Sequence, residues 1–316
     1  MKRMTISNVN LLYLFMAVLL ITLGYIIQSI NSELGLIATE FLLVLLPALL
    51  FAIWTRDGMK KIFRLNPLPF REGILIVSIA VLFYPVSIMG NLIVVNLLDA
   101  IGWYRPIPFP TAENAKEYVL LIFAVAVSAG ICEELLFRGV MMKAYERYGP
   151  KRAIIATAVL FGFFHFNMQN LIAPIMLGAL FGYYVYITDS IFSAILAHSF
   201  HNALSVTIGF LTSVSRNEGP GVEIADTASE SGSFIQYLTI AVFISLCLIV
   251  AFFLIKRLKM ISAERLKPSM SKHNDERAFE PGIEEADQVQ WWAFIPLAVT
   301  GAIYVLLEIA VLSSWR

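Results

Sequence analysis

Charge is what this 316-residue chain has least of. Only 15% of its residues are Asp, Glu, Lys or Arg, against 59% hydrophobic, and its 23 basic and 23 acidic side chains cancel. With a mean hydropathy of +0.76, that excludes a water-soluble globular domain. A net charge of zero gives no bulk pull toward polyanions, so no nucleic-acid partner is expected. Cysteine is nearly absent. Cys132 and Cys247 both fall in apolar stretches, which argues against a disulfide framework and predicts two free thiols. The chain also lacks a repeat of solenoid period, an HExxH zinc motif, and a matched pair of broken helices of the kind that marks inverted-repeat transporters.

Long apolar runs are what the chain does have. About 20 residues are needed to cross roughly 30 Å of hydrocarbon. The runs lie near 9–29, 34–54, 73–98, 118–142, 153–166, 171–187, 191–212, 234–255 and 291–312. They predict an all-α, polytopic integral membrane helical bundle of about nine transmembrane helices, with residues 1–316 as one membrane domain. Eight is the alternative, because HFNMQN (His165–Asn170) is a polar break that can lie inside the membrane. The run Leu11–Ile27 is long for a signal peptide and no small-residue cleavage site follows it, so a retained first span is expected.

Basic residues orient these spans. With a cytoplasmic N-terminus, the inside segments 1–8, 55–72, 139–152, 188–190 and 256–290 hold 18 of the 23 Lys and Arg. Positive charge marks the cytoplasmic face, which predicts a multi-pass protein of the cell membrane with its N-terminus inside. Residues 213–233 and 256–290 read as flexible connectors, external and cytoplasmic respectively.

Acids inside apolar runs are expensive, at about 2.5 to 3.5 kcal/mol each at mid-membrane, and are functional candidates by default. Three polar clusters stand out. The fourth run carries Glu133, Glu134 and Arg138; the fifth ends on FGFFH (Phe161–His165); the seventh carries HSFHN (His198–Asn202). Three of the four histidines are thus intramembrane, while His273 sits in the charged connector. At about 1.5 Å rise per residue, Glu133, His165, His198 and Asn202 come out roughly 15, 18, 10 and 16 Å from the cytoplasmic helix ends, a shared depth. Positions four apart share a helix face, so Glu134 and Arg138 can form an ion pair, while His198 and Asn202 offer two hydrogen-bond donors side by side. Glu133 is turned about 100° away from Glu134, leaving it free for proton transfer. Glu40 and Glu308 are further intramembrane acids without polar companions at helical spacing, and are assigned to structure. Together the clusters supply a base, groups that orient it and donors for an oxyanion, which is the equipment of a water-activating site.

The motifs carry a resemblance. EELLFR (Glu133–Arg138) resembles EExxxR, FGFFH resembles FxxxH, and HSFHN resembles HxxxN of the CPBP family of intramembrane proteases, related to the type II CAAX prenyl endopeptidase and to bacteriocin-processing or immunity proteins. The resemblance covers about 118–205, inside a catalytic core of 118–212, and implies an intramembrane endopeptidase. Glu133 and His165 would activate water, Glu134 and Arg138 would orient the site, and His198 and Asn202 would hold the oxyanion. Its substrates would be CAAX-like, bacteriocin-like or other membrane-associated peptides or proteins, met within the lipid bilayer. A glutamic mechanism needs no cofactor; a zinc enzyme would draw its ligands from Glu133, Glu134, His165 and His198. The metal-free version is favoured because HExxH is missing. Readings from other classes are a proton- or cation-coupled transporter using the buried acids, and a non-catalytic immunity or scaffold protein.

Overall fold

The computed structural model describes residues 4–55, 57–104, 110–217, 234–272 and 291–313. Arg105, His273, Arg316 and most of both expected connectors lie outside the described residues. Eight helices in that set are long and apolar enough to cross a membrane. They are α1 (Ile6–Ile30), α2 (Ser32–Thr55), α3 (Phe70–Ala100), α4 (Ala115–Tyr148), α6 (Met168–Thr188), α7 (Ile191–Val214), α8 (Ile235–Lys267) and α9 (Trp291–Val311). Between α4 and α6 lies α5, Pro150–Phe163, of 14 residues. The described residues form no strand. The protein is a polytopic helical membrane bundle.

The ninth full span expected at 153–166 is corrected by α5, whose 14 residues rise only about 21 Å. The polar break ends it: Phe164 N–H and His165 N–H still bond back to Leu160 O (3.0 Å) and Gly162 O (3.3 Å), and Phe166 then turns to φ +46°. Both connectors also begin later than expected. α7 remains helical through Asn217 and α8 through Lys272. The first part of that α8 extension is held by packing, since Leu258 and Ser262 are buried and Arg265 binds the buried Glu72 carboxylate at 2.7 and 3.1 Å.

Local chemistry starts several helices. Asn31 caps α2 by accepting from Leu34 N–H at 2.8 Å, and Asn114 caps α4 through Glu117 N–H at 3.0 Å. Gly149, at φ +91°, makes the tight corner before Pro150 opens α5. α5 and α6 then pack antiparallel at close range. A Cβ on Gly178 would stand 3.0 Å from Ala158 Cα, tighter than side chains ordinarily pack, so glycine favours that approach.

Two apolar clusters flank the middle of the bundle. One joins α1, α2, α4 and α5 through Tyr13, Met16, Val44, Ala48, Phe137 and Phe161. The other joins α3, α6 and α7 through Ile76, Ile79, Phe181, Tyr184 and Ala194. The polar residues of α4, α5 and α7 lie between them, while α8 and α9 expose large apolar side chains such as Phe253 and Leu306, as lipid-facing helices do. At one end of the bundle the loops are tied by charge. Arg64 pairs with Glu146 and, at 3.2 Å, with Asp189; Asn66 donates to Asp189, and Arg265 donates to Thr188 O at 2.7 Å. Segments assigned to one face by their basic residues therefore share one end of the molecule.

Candidate active site

Arg138 is buried to 1% exposure, so every donor it carries needs a partner. Nη1 donates to Glu134 Oε1 at 2.7 Å and Nη2 to Gly178 O of α6 at 3.1 Å. Its guanidinium lies 4.4 Å from the Phe161 ring centroid and 5.5 Å from that of Phe181. The ion pair expected between Glu134 and Arg138 is present. Gly178, where α5 and α6 approach closely, thus also supplies an acceptor.

Glu134 reaches across to α7 as well. His198 Nδ1 lies 2.8 Å from Glu134 Oε1. A carboxylate that already accepts from Arg138 is an acceptor here too, so Nδ1 carries the proton and His198 Nε2 points onward. It lies 3.9 Å from Glu133 Oε2. Phe181 stacks on the His198 ring at 5.4 Å, and Phe161 meets it edge-on at 5.7 Å. Glu134 thus orients the imidazole that faces Glu133.

Glu133 is the less enclosed of the tandem acids, its side chain 13% exposed against 0% for Glu134. Its Oε2 is nevertheless buried and bonded to no protein donor. Glu40 of α2, assigned to structure from sequence, stands near enough for the two carboxyls to repel one another, and its own Oε2 is likewise without a partner. Glu40 was missed because its companion stands on another helix, where spacing along one run cannot find it.

His165 comes near the cluster through Phe161, whose ring it meets edge-on at 5.0 Å. Its Nδ1 lies 2.9 Å from Phe161 O; a carbonyl only accepts, so Nδ1 donates and Nε2 keeps a lone pair for water. No hydrogen bond joins His165 to Glu133 among the described contacts. Phe166, next in sequence, holds a left-handed conformation that costs a bulky residue on the order of 1–3 kcal/mol. Asn202 commits one amide N–H to Val125 O of α4 at 2.9 Å. His201 turns to α3, its Nε2 3.4 Å from Ser87 Oγ and its ring 5.1 Å from that of Tyr84. Cys132 is buried in the apolar cluster beside the site.

Among the described residues, no group of three or more His, Cys, Asp or Glu side chains converges as a metal-binding set. Glu134 Oε1 is already taken by Arg138 and His198, which makes Glu134 the least suited of the four named ligands to hold a metal.

Residues 115–204 match the family model described as type II CAAX prenyl endopeptidase Rce1-like. The matched segment contains Glu133, Glu134, Arg138, His165, His198 and Asn202. Over this segment the chain is similar to the CAAX-type protease family. No curated protein and no solved structure matches it. The matched segment is less than a third of the chain. It spans α4 to α7 and leaves Glu40 and Glu308 outside.

Proposed function

We propose that the chain is an intramembrane endopeptidase that hydrolyses a peptide bond of a membrane-associated peptide or protein with water activated by Glu133. One observation carries this reading most directly. Glu133 has a buried carboxylate oxygen with no protein donor, 3.9 Å from an imidazole that Glu134 and Arg138 hold in place. A free acceptor beside an oriented histidine is suited to a water and the carbonyl it attacks.

In this mechanism Glu133 takes a proton from the water, and the lone pair on His165 Nε2 helps hold that water. The water oxygen bonds to the peptide carbon, and the carbonyl oxygen becomes an oxyanion. His198, in its doubly protonated form, donates to it from Nε2, and Asn202 donates its second amide N–H. Collapse breaks the C–N bond, and the leaving amine takes the proton held by Glu133. Every step uses side chains of this chain. A glutamic mechanism is therefore favoured over one with three zinc ligands.

The reading is tested with purified protein in proteoliposomes, given membrane-anchored peptide reporters with and without a prenylated CAAX terminus. Products at a defined peptide bond, equal with and without a chelator, are expected. Activity lost to the chelator and restored by zinc overturns the glutamic reading. Proton-driven flux without cleaved products replaces the enzyme with the transporter.

A further inference from the structure

Glu308 lies outside the matched segment, yet it is seated on the loop that carries His165. It belongs to α9, and its Oε1 accepts from Met168 N–H at 2.7 Å, three residues past the histidine. One turn earlier on α9, Tyr304 meets Phe163 edge-on at 5.1 Å and Phe166 at 6.2 Å. From the opposite side Asn91 of α3 donates to Asn170 Oδ1 at 2.6 Å and accepts from Ala173 N–H at 2.9 Å. The loop is therefore clamped by two helices that contribute nothing to the Glu133 cluster.

The clamp has a strained object. Phe166 sits at φ +46° directly after His165, and such a conformation in a bulky residue persists only where its surroundings over-determine it. Irregular backbone at membrane depth needs partners from protein, but a neutral side chain would satisfy one N–H at a lower cost of insertion than a carboxylate. What the carboxylate adds is strength, since a charge-assisted bond is roughly twice as strong as a neutral one. A firmer anchor matters where a small displacement of a reacting group is costly.

We infer that Glu308 is a positioning residue for His165: its bond to Met168 N–H fixes the turn that sets the imidazole beside Phe161 and the His198 cluster. The inference rests on His165 belonging to the site. Its test compares E308L, which removes the acceptor, with E308Q, which keeps one. E308L lowers kcat on the order of tenfold to a hundredfold while KM stays within about twofold, and E308Q, which keeps a weaker neutral acceptor, restores part of the rate. Unchanged kcat in folded E308L, or a loss carried wholly by KM, overturns the inference. Should E308L not fold, E308D, which withdraws the acceptor by one methylene, takes its place with the same expectations.

A second readout needs no catalysis and so separates this inference from the protease reading. Cysteine at position 165, in protein with Cys132 and Cys247 replaced by alanine, is labelled with a thiol reagent. E308L changes the labelling rate several-fold and E308Q changes it less. Equal rates in all three proteins overturn the inference even if the wild-type chain cleaves peptides. A changed rate upholds the positioning of residue 165 even if it does not.

Discussion

A guanidinium and a carboxylate buried together are worth little as a source of stability, but each is ruinous without the other. Arg138 and Glu134 are such a pair, and His198 is fastened to the same carboxylate oxygen. Arg138→Met strands the Glu134 carboxylate and should cost about 3–5 kcal/mol, read as a lowered thermal midpoint in detergent. Adding Glu134→Gln to Arg138→Met should recover much of that stability but not the activity, because His198 then lacks its ionic anchor. The Glu134–Arg138 pair was legible from spacing alone, since residues four apart meet on one helix. The bond from Glu134 to His198 was not, because it joins helices 64 residues apart in sequence. Glu40 was invisible for the same reason.

Among elements, the contact between α4 and α7 decides whether the acids and His198 meet. Gly130 makes it possible: a Cβ there would collide with Ser199 Oγ and lie 3.1 Å from Ser199 N and 3.2 Å from Ser199 Cα, so both the side chain and the backbone of α7 would have to give. Gly130→Ala should therefore push α7 off α4, costing about 1–3 kcal/mol in stability and lowering kcat by drawing His198 from Glu134. Thermal melting and turnover of the same purified sample check both effects. Apolar run length found every long helix among the described residues, because hydrophobic runs of bilayer length have few other uses. It did not find the wide π-helical turns at Ile122–Ser128 and Leu135–Met141 that flank Ala129–Glu134, nor the early end of α5. Such turns are frequent at functional sites and depend on tertiary packing more than on local preference.

For the whole molecule, the basic loops gather at one end of the bundle. The structure adds that Arg64 links two of them, by pairing with Glu146 and Asp189. An alternating path with that end inside the cell predicts a simple labelling pattern. Cysteines replacing Lys61 or Lys151 should react with an impermeant reagent only after the membrane is opened, whereas cysteines replacing Asn31 or Glu113 should react in intact cells. The reverse pattern would turn the protein over and place its site at the other face. The overall architecture was readable because composition alone fixes a membrane bundle. The site was readable in its parts but not in its wiring, which passes between helices far apart along the chain.

The central claim is that Glu133 activates the water. It is tested most directly by mass-spectrometric measurement of peptide cleavage by purified Glu133→Gln beside wild type, at matched thermal stability. The account predicts a loss of about 10²- to 10⁴-fold in kcat in a variant that melts like the wild type. Cleavage by Glu133→Gln at the wild-type rate would contradict it.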